Sequence, residues 1–215
     1  MSGEAFPGEP TLARQLAVGR QSIREGLIRL EIEGLISRRR GAETVVNTRA
    51  VGIRARFDRR VNFVELLSHG GSEPGTEVLG AERIGLGADD AHRLDRPEGS
   101  PAWQVSRRWM ADGETLVATI DVLPLPDGID DPSPGLALVD AVAAVTGTGA
   151  EWEMVRPDAV AADGRTAPMC GVDVGVPLLT LDLVGVSRSG RLLYHSREMY
   201  RPGTFDYEFI RVLGH

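Results

Sequence analysis

The sequence predicts an α+β protein in two parts, a helical N-terminal segment that ends in a basic hairpin and a C-terminal antiparallel sheet with intervening helices. Apolar residues recur at helical spacing between Thr11 and Gly34. Beyond residue 75, alternating segments are joined at tight-turn dipeptides, which predicts β-hairpins. Charge divides the chain in the same way: residues 1–60 carry 12 Arg and 7 acidic residues, whereas residues 61–215 carry 12 Arg and 24 acidic residues. This asymmetry indicates a nucleic-acid-facing segment and a separate acidic, soluble part.

The N-terminal segment predicts a short helix, a tight turn and a longer helix. Leu12 and Leu16 are four residues apart and would share one helix face. Gly19 is expected at the sharp turn, where glycine takes a positive φ at little cost. Gly34 follows the periodic run and is expected to cap the second helix. Three apolar residues of that helix recur at i, i+4 and i+7 and would pack on the first helix: Ile23, Leu27 and Leu30.

A turn, a second helix and a basic hairpin in this order are typical of a winged helix-turn-helix, which places its second helix in the DNA major groove. Polar side chains on the first turns of that helix would donate to phosphates and base edges, and those of the hairpin mostly to phosphates. The candidates are Arg20, Gln21, Ser22 and Arg24 on the helix and Arg38, Arg39 and Arg40 in the hairpin. Pairs such as Arg29 and Glu33 equally suit a solvated, salt-bridged helix face, so the combination of features favours DNA binding more than any single one.

These residues resemble the winged helix-turn-helix of the GntR family of bacterial transcription regulators. The resemblance is carried by Leu12-Ala13, Leu16, Val18, Arg20, Ile23-Arg24-Glu25, Leu27, Arg29-Leu30-Glu31, Glu33-Gly34-Leu35-Ile36, Arg38-Arg39-Arg40-Gly41 and Thr44. It implies that Arg20, Gln21, Ser22 and Arg24 lie at the groove, with the wing from Arg38 to Thr44 beside it. The sequence departs from the family at two places. Only ten residues precede Thr11, so the first helix of the family is expected to be missing, and Glu43 occupies a wing-tip position where a second Gly is common.

The acidic part predicts hairpins and short helices in alternation. Turn dipeptides join two strand pairs, at Asp112-Gly113 and at Ser189-Gly190. In chain order the expected elements are a linker at 47–60, an amphipathic helix at 61–69, a strand at 76–84, helical turns at 89–94, strands at 102–110 and 115–123, a helix at 134–145, strands at 178–186 and 191–201, and a strand at 207–212. The helix at 134–145 would bury Leu136, Leu138, Val139 and Val142.

This part resembles the UTRA effector-binding domain of the HutC branch of the GntR family. The carriers are Pro74-Gly75-Thr76, Trp103 to Arg108, Ala111-Asp112-Gly113-Glu114, Leu123-Pro124, Pro177-Leu178-Leu179, Gly190-Arg191, Ser196-Arg197 and Tyr200-Arg201. The resemblance implies a chorismate-lyase-like sheet with a ligand cleft, dimerisation through this domain and a change in DNA binding when the ligand binds. The expected domains are a winged helix-turn-helix at 1–46, a linker at 47–60 and a UTRA-like domain at 61–215.

The resemblance also implies where an effector would bind. Family members that bind phosphorylated sugars use an Arg-x-Arg pair, of which Arg107 fills the first position and Trp109 the second. Thr119 and Tyr194 stand where the family carries acidic residues. The expected effector-binding residues are Thr76, Arg107, Trp109, Thr119, Tyr194, Ser196 and Tyr200. Because Tyr194, Ser196 and Tyr200 alternate on one strand, they would share a face. We therefore expect a small effector that is partly apolar or aromatic.

Several classes of function are disfavoured by what the sequence lacks. A single cysteine, Cys170, rules out an internal disulfide and is expected as a packed core thiol, which suits a reducing cytoplasm. No signal peptide and no apolar run long enough to span a bilayer is present. The four histidines are scattered without metal-ligand or hydrolase spacing, so no metal, cofactor or catalytic residue is expected. His195 alternates out of the proposed pocket face and is expected as a surface or sheet histidine.

The sequence thus predicts a cytoplasmic, ligand-responsive DNA-binding transcription regulator that is not an enzyme. We expect a homodimer on a pseudo-palindromic operator, acting as a repressor. Two alternatives stay open. The short N-terminus and Glu43 suit a small-molecule-binding dimer whose winged domain no longer binds DNA, and the implied sheet would also support lyase chemistry.

Overall fold

The structure is a computed structural model that describes residues 6–39, 43–51, 55–56, 73–204, 207–208 and 210. The chain divides into two compact units, residues 1–61 together with 206–215, and residues 62–205. The first unit holds α1 (Glu9–Gln15), α2 (Arg20–Ile32), β1 (Ile36–Ser37), β2 (Val45–Val46), α3 (Thr48–Val51), β3 (Ala55–Arg56) and β10 (Tyr207–Glu208). The second holds β4 (Pro74–Gly85), α4 (Ala88–Leu94), β5 (Pro101–Ala111), β6 (Glu114–Pro124), α5 (Leu138–Thr146), β7 (Trp152–Ala161), α6 (Thr166–Cys170), β8 (Pro177–Val186) and β9 (Leu192–Tyr200).

The helical spacing of apolar residues in α2 produces the core of the first unit, as predicted. Ile23 and Leu27 are buried with Ile36 of β1, and Leu30 packs against this cluster together with Phe6, Leu12 and Ala13. Leu16 is different: its side chain is 62% exposed, so the prediction that it shares a packed face with Leu12 is wrong. Leu16 follows the last residue of α1, where the helix has already ended.

The turn between α1 and α2 is made by a different residue from the one expected. Gly19 has φ −65° and ψ 148°, an extended conformation from which α2 begins. The positive φ occurs at Ala17, at 53°, so the prediction for Gly19 is wrong. The prediction for Gly34 is confirmed: it takes φ 70° just after α2. The Leu35 N–H then donates to the Leu30 carbonyl at 2.9 Å, the bond that closes a Schellman motif.

The segment expected to be an irregular linker contains secondary structure. α3 follows β2 directly, begins after Asn47, whose side-chain oxygen accepts the Ala50 N–H at 3.2 Å, and buries Ala50. β3 then pairs in parallel with β10, with Ala55 opposite Tyr207. The helix expected at 61–69 and the end of the strand expected at 207–212 lie outside the described residues.

The second unit is built on one six-stranded sheet in the order β4-β5-β6-β9-β8-β7, and every neighbouring pair is antiparallel. This confirms the predicted α+β class. Asp112 and Gly113 take φ 51° and 83° between β5 and β6, which is the type I′ hairpin that this dipeptide predicts. Gly190 takes φ 82° between β8 and β9, as expected for the second hairpin.

Helices cover the sheet on both faces. α5 packs Leu138, Ala141 and Val142 on one face, against Trp103 and Tyr194 among others. α4 and α6 pack on the opposite face through two further apolar clusters. The predicted start of α5 at residue 134 is wrong, because Pro132, Pro134 and Gly135 keep the preceding segment out of a helix. Leu136 is accordingly 37% exposed instead of buried.

The sequence had assigned no element to β7 or α6. β7 lies at the edge of the sheet and is exposed along almost its whole length, so it lacks the alternation that marks a half-buried strand. α6 is only five residues long and begins where the Asp163 carboxylate accepts the Thr166 N–H at 2.7 Å. The backbone and side-chain hydrogen bonds from Thr166 hold the pKa of Asp163 below its ordinary value.

Candidate functional sites

The first turns of α2 present polar side chains to solvent. Arg20, Gln21 and Ser22 are exposed, and the first turn contains no acidic residue. Gln21 donates to Glu25 one turn further on, at 2.8 Å. Arg20 forms no side-chain hydrogen bond or ion pair with any other described residue. The start of α2 therefore combines free backbone N–H groups with an unpaired cation, which together favour an anionic partner.

Two other predicted DNA-binding arginines have acidic partners in the protein. Arg24 donates to Glu9 of α1 at 3.3 Å, but its side chain remains 61% exposed, so the pair is readily exchanged for a phosphate. Arg38 is held more firmly. Its backbone N–H and its Nε and Nη2 atoms all donate to the Glu31 carboxylate, at 3.1, 3.0 and 3.0 Å.

The Arg38–Glu31 contact joins the hairpin to α2. The side-chain hydrogen bond from Arg38, with help from its backbone N–H, holds the pKa of Glu31 below its ordinary value. Arg38 therefore braces the wing, while Arg39 is exposed and Thr44 is half-buried. Arg40 lies outside the described residues.

The seven residues predicted to bind an effector all lie on one face of the sheet. Residues directly opposite each other in antiparallel strands share a face. The register places Thr76 opposite Trp109, and Arg107 opposite Thr119. Val117 lies opposite both Trp109 and Tyr200, and Ser196 and Tyr194 follow Tyr200 at even spacing along β9. The structure thus brings together residues that span 125 positions of the sequence, from 76 to 200.

Arg107 is buried at the centre of this face and its donors are engaged. Nη1 donates to the Asp121 carboxylate at 2.6 Å, and Nη2 donates to the carbonyls of Pro134 and Leu136 at 3.1 and 2.8 Å. Burial lowers the pKa of Arg107, and the neighbouring Asp121 opposes that shift. The guanidinium also lies over the Trp103 ring, 5.8 Å from its centroid. An anionic ligand would have to replace the two loop carbonyls to bind Arg107.

Sequence reasoning missed Asp121, the acidic residue that organises this face. Its second carboxylate oxygen accepts the Ser196 hydroxyl at 2.6 Å, so Asp121 links β5 to β9 through β6. The sequence does contain a signal for Asp121: it lies two residues beyond Thr119 on the same strand and therefore shares the face of Thr119.

Two tyrosines of this face have acidic partners. The Tyr194 hydroxyl donates to Glu153 of β7, and the Tyr200 hydroxyl donates to Glu198 of β9. Both tyrosine rings are buried, and Trp109 is half-buried. The face accordingly offers aromatic surface next to polar groups that already have hydrogen-bond partners.

The opposite face of the sheet carries a second polar cluster around His195. Nδ1 of His195 lies 2.8 Å from Asp90 of α4, and Nε2 lies 3.5 Å from Asp182 of β8. Arg197 donates to Asp182 at 2.8 Å, and this bond raises the pKa of Arg197. His195 is 6% exposed on β9 and faces away from the predicted effector residues, so it is a sheet histidine, one of the two positions expected for it.

The described residues show no arrangement of three or more His, Cys, Asp or Glu side chains that could hold a metal ion. Among the same residues, no helix is both long enough and apolar enough to cross a bilayer. Cys170, the last residue of α6, is 1% exposed and packs in the core, as predicted.

Comparison with known proteins assigns both parts of the chain. Residues 69–206 match the UTRA domain, and residues 1–46 match the bacterial regulatory proteins of the gntR family. The chain is 30% identical over 118 residues to an uncharacterized HTH-type transcriptional regulator of Rhizobium meliloti (strain 1021). That match covers 55% of this chain and 48% of the relative, so it spans about half the length of the relative.

Solved structures share all or part of the fold at low sequence identity. PhnF from Mycobacterium smegmatis superposes with a TM-score of 0.63 and 22% identity, covering 99% of this chain and 93% of that one. A possible transcriptional regulator, YydK from Bacillus subtilis, gives a TM-score of 0.72 with 16% identity, covering 97% and 91%. A putative transcriptional regulator from Streptomyces coelicolor is 26% identical with a TM-score of 0.57, covering 67% of this chain and 97% of that one.

Proposed function

Because the chain belongs to the GntR family of bacterial regulatory proteins and carries the UTRA domain of its HutC branch, we propose that it is a ligand-responsive transcription regulator that binds operator DNA. The single observation that carries the proposal is the start of α2. There, Arg20 is exposed and unpaired among the described residues, at a helix N-terminus whose first turn contains no acidic residue.

In this proposal α2 enters the major groove with its first turns. Arg20, Gln21, Ser22 and Arg24 contact base edges and phosphates, since these side chains donate hydrogen bonds from an exposed surface. Arg39, Arg40 and Thr44 contact the backbone beside the groove. Arg38 adds affinity mainly by positioning the hairpin, because its donors are held by Glu31. The DNA-binding domain is placed at 1–46, the linker at 47–60 and the effector-binding domain at 61–215.

The effector binds on the sheet face that carries Thr76, Arg107, Trp109, Thr119, Tyr194, Ser196 and Tyr200. Two observations support a small, partly apolar or aromatic ligand. Arg107 is neutralised by Asp121 and bonded to two carbonyls, and the same face presents half-buried Trp109. A flat ligand would stack on such a surface.

The regulator acts as a cytoplasmic homodimer on a pseudo-palindromic operator, and effector binding shifts the arrangement of its two winged domains. Repression is the simplest outcome, because occupying a promoter needs no further contacts. No catalytic role is proposed, since the acidic and basic groups at the centre of the effector face pair with each other.

DNA binding is tested by fluorescence anisotropy on DNA from the gene's own promoter region at two salt concentrations. We expect salt-sensitive binding that is lost in the double variant Arg20→Ala/Arg24→Ala. The matched control, Arg165→Ala/Arg188→Ala, removes two exposed arginines from the other unit and should bind normally. Equal weakening by both pairs would mean that only net charge matters, and the proposed interface would be wrong.

Effector class is tested by calorimetry of the same protein with a set of aromatic and apolar acids and a set of sugar phosphates. We expect members of the first set to give a heat of binding, and we expect weaker binding in Trp109→Leu. The control is Trp152→Leu, which replaces an exposed tryptophan and should bind normally. Binding of the sugar phosphates alone would refute the proposed ligand class.

A further inference from the structure

A groove of about 560 Å³ lies on the sheet face opposite the proposed effector site. Its walls include Asp89 and Arg93 of α4, Met154 and Arg156 of β7, and Asp182 and Val184 of β8. Asp182 lies opposite Arg197 in the register of β8 and β9, so these two residues share a face. Arg197 directly follows Ser196, so Arg197 and Ser196 point to opposite faces. The groove and the proposed effector site are therefore separated by the thickness of the sheet.

Arg156 is left without an acidic partner in this groove. Its register partner on β8 is the acidic residue Asp182. The Asp182 carboxylate is already bonded to Arg197 at 2.8 Å and lies 3.6 Å from Arg93. Within the part of the chain that the structure describes, Arg156 forms no ion pair, so its guanidinium is available to an anion.

Asp89 of α4, on the other wall of the groove, can also contact a ligand. Asp89 is exposed in the first turn of α4 and makes no hydrogen bond or ion pair with the described residues, although its charge helps to raise the pKa of Arg197. Its neighbour Asp90 is instead paired with His195. The groove therefore presents one available cation on its strand wall and one available anion on its helix wall.

Apolar surface accompanies these charges. Met154 is 56% exposed and lies two residues from Arg156, hence on the same face of β7, and Val184 is buried on β8. The four charged side chains of the lining, two arginines and two aspartates, sum to no net charge. A ligand with a single charge would meet one opposite and one like charge, whereas a ligand with both charges would satisfy each wall.

We propose that this groove is a second ligand site, which binds a small zwitterion through its carboxylate at Arg156 and its ammonium group at Asp89, with an apolar body against Met154. The site lies on the other face of the sheet from the proposed effector site and uses none of its residues. The protein would then have a second small-molecule site besides the proposed effector site.

The test is calorimetry of the full chain at low ionic strength, because exposed charges are screened by salt. The probes are glycine, 4-aminobutyrate and 6-aminohexanoate, which space the same two charges differently, with hexanoate and hexylamine as single-charge controls. At least one of the three amino acids should bind once per chain, and both controls should bind at least about tenfold more weakly.

Matched variants locate the site. Arg156→Gln and Asp89→Asn should each weaken the bound amino acid by about tenfold or more, since each loses a charge-assisted hydrogen bond. Arg188→Gln, an exposed arginine outside the groove, should leave the affinity unchanged. In the wild-type protein the indole N–H resonance of Trp152, which is 54% exposed on the same face of β7, should shift on titration.

Three results would overturn the proposal: no heat from any of the three amino acids, equal binding of hexanoate, or unchanged affinity in Arg156→Gln. Since the assay contains no DNA, each of these results leaves the proposed regulatory function untouched.

Discussion

Gly185 shows how one missing side chain positions a proposed ligand-binding residue. It lies opposite Tyr194 in the β8–β9 register, and a Cβ at this position would overlap the tyrosine ring. We expect Gly185→Ala to destabilise the protein by about 1–3 kcal/mol, since a packed core rejects added volume. Urea unfolding would measure this. Gly80→Ala is the control, because a Cβ there meets nothing within 4 Å; a similar loss in both variants would contradict the packing argument.

Cys170 should be chemically inert in the folded protein. Burial raises the pKa of its thiol to about 11, so at pH 8 only about one molecule in a thousand carries the reactive thiolate. Mass spectrometry after iodoacetamide treatment should find Cys170 unmodified in native protein and fully modified in urea. Rapid modification without denaturant would show that this part of the core opens readily.

At the scale of residues, alternation along a strand predicted which side chains share a face but not which of them bond. Tyr194, Ser196 and Tyr200 were placed together correctly because a strand has a period of two. The bond between Arg107 and Asp121 depends on β5 and β6 being neighbours in a particular register, and the effector candidates were taken from family positions that do not include Asp121. The roles of all the predicted site residues remain predictions.

Among the elements, the hairpin of the first unit is joined to α2 by the ion pair between Glu31 and Arg38, in addition to the packing of Ile36. We expect Glu31→Gln and Arg38→Gln each to weaken DNA binding severalfold, because either change frees the wing. The double variant should lose no more than the single ones, since both remove the same contact. Anisotropy titrations would measure this, with Glu82→Gln in the other unit as the control for removing one negative charge. Fully additive losses would show that Arg38 contacts DNA directly.

Elements with turn dipeptides and regular periodicity were predicted from the sequence, and those without were not. Both hairpins of the sheet were found because Asp112-Gly113 and Ser189-Gly190 mark their turns. β7 was missed because an edge strand exposed on both faces carries no apolar alternation. α3 and β3 were missed because elements of four and two residues are too short to show any period.

For the whole molecule, the cluster around Asp182 predicts sensitivity to acid. Burial alone would raise the pKa of Asp182, but the hydrogen bond from Arg197 and the charges of Arg197, Arg93 and His195 outweigh it and lower the pKa. A carboxyl group with a lowered folded pKa stabilises the protein at neutral pH, and this stabilisation is lost as the pH falls through that value.

The free energy of unfolding should therefore fall as the pH is lowered below about 4, the ordinary pKa of an aspartate, towards the lower folded value. Urea unfolding across this range should show a shallower fall in Asp182→Asn, which has no charge to lose. Asp131→Asn, at a surface pair with Arg83, should keep the wild-type slope. Parallel curves for wild type and Asp182→Asn would exclude this cluster as the source of acid sensitivity.

The division of the chain into a basic helical part and an acidic sheet part followed from composition and periodicity. The return of the C-terminal residues to the N-terminal unit did not, because the two-residue strands β3 and β10 are about 150 positions apart and carry no pattern. Whether two such short segments pair depends on where the folded residues between them place the two ends of that unit.

That pairing has a consequence for how the protein is made. Since the first unit includes residues 206–215 as well as residues 1–61, it stays incomplete until the sheet between them has been synthesised. By then every strand of the six-stranded sheet has been made, because β9 ends at Tyr200 and β10 begins at Tyr207. The unit proposed to bind DNA therefore cannot be complete before the sheet proposed to bind the effector has been synthesised.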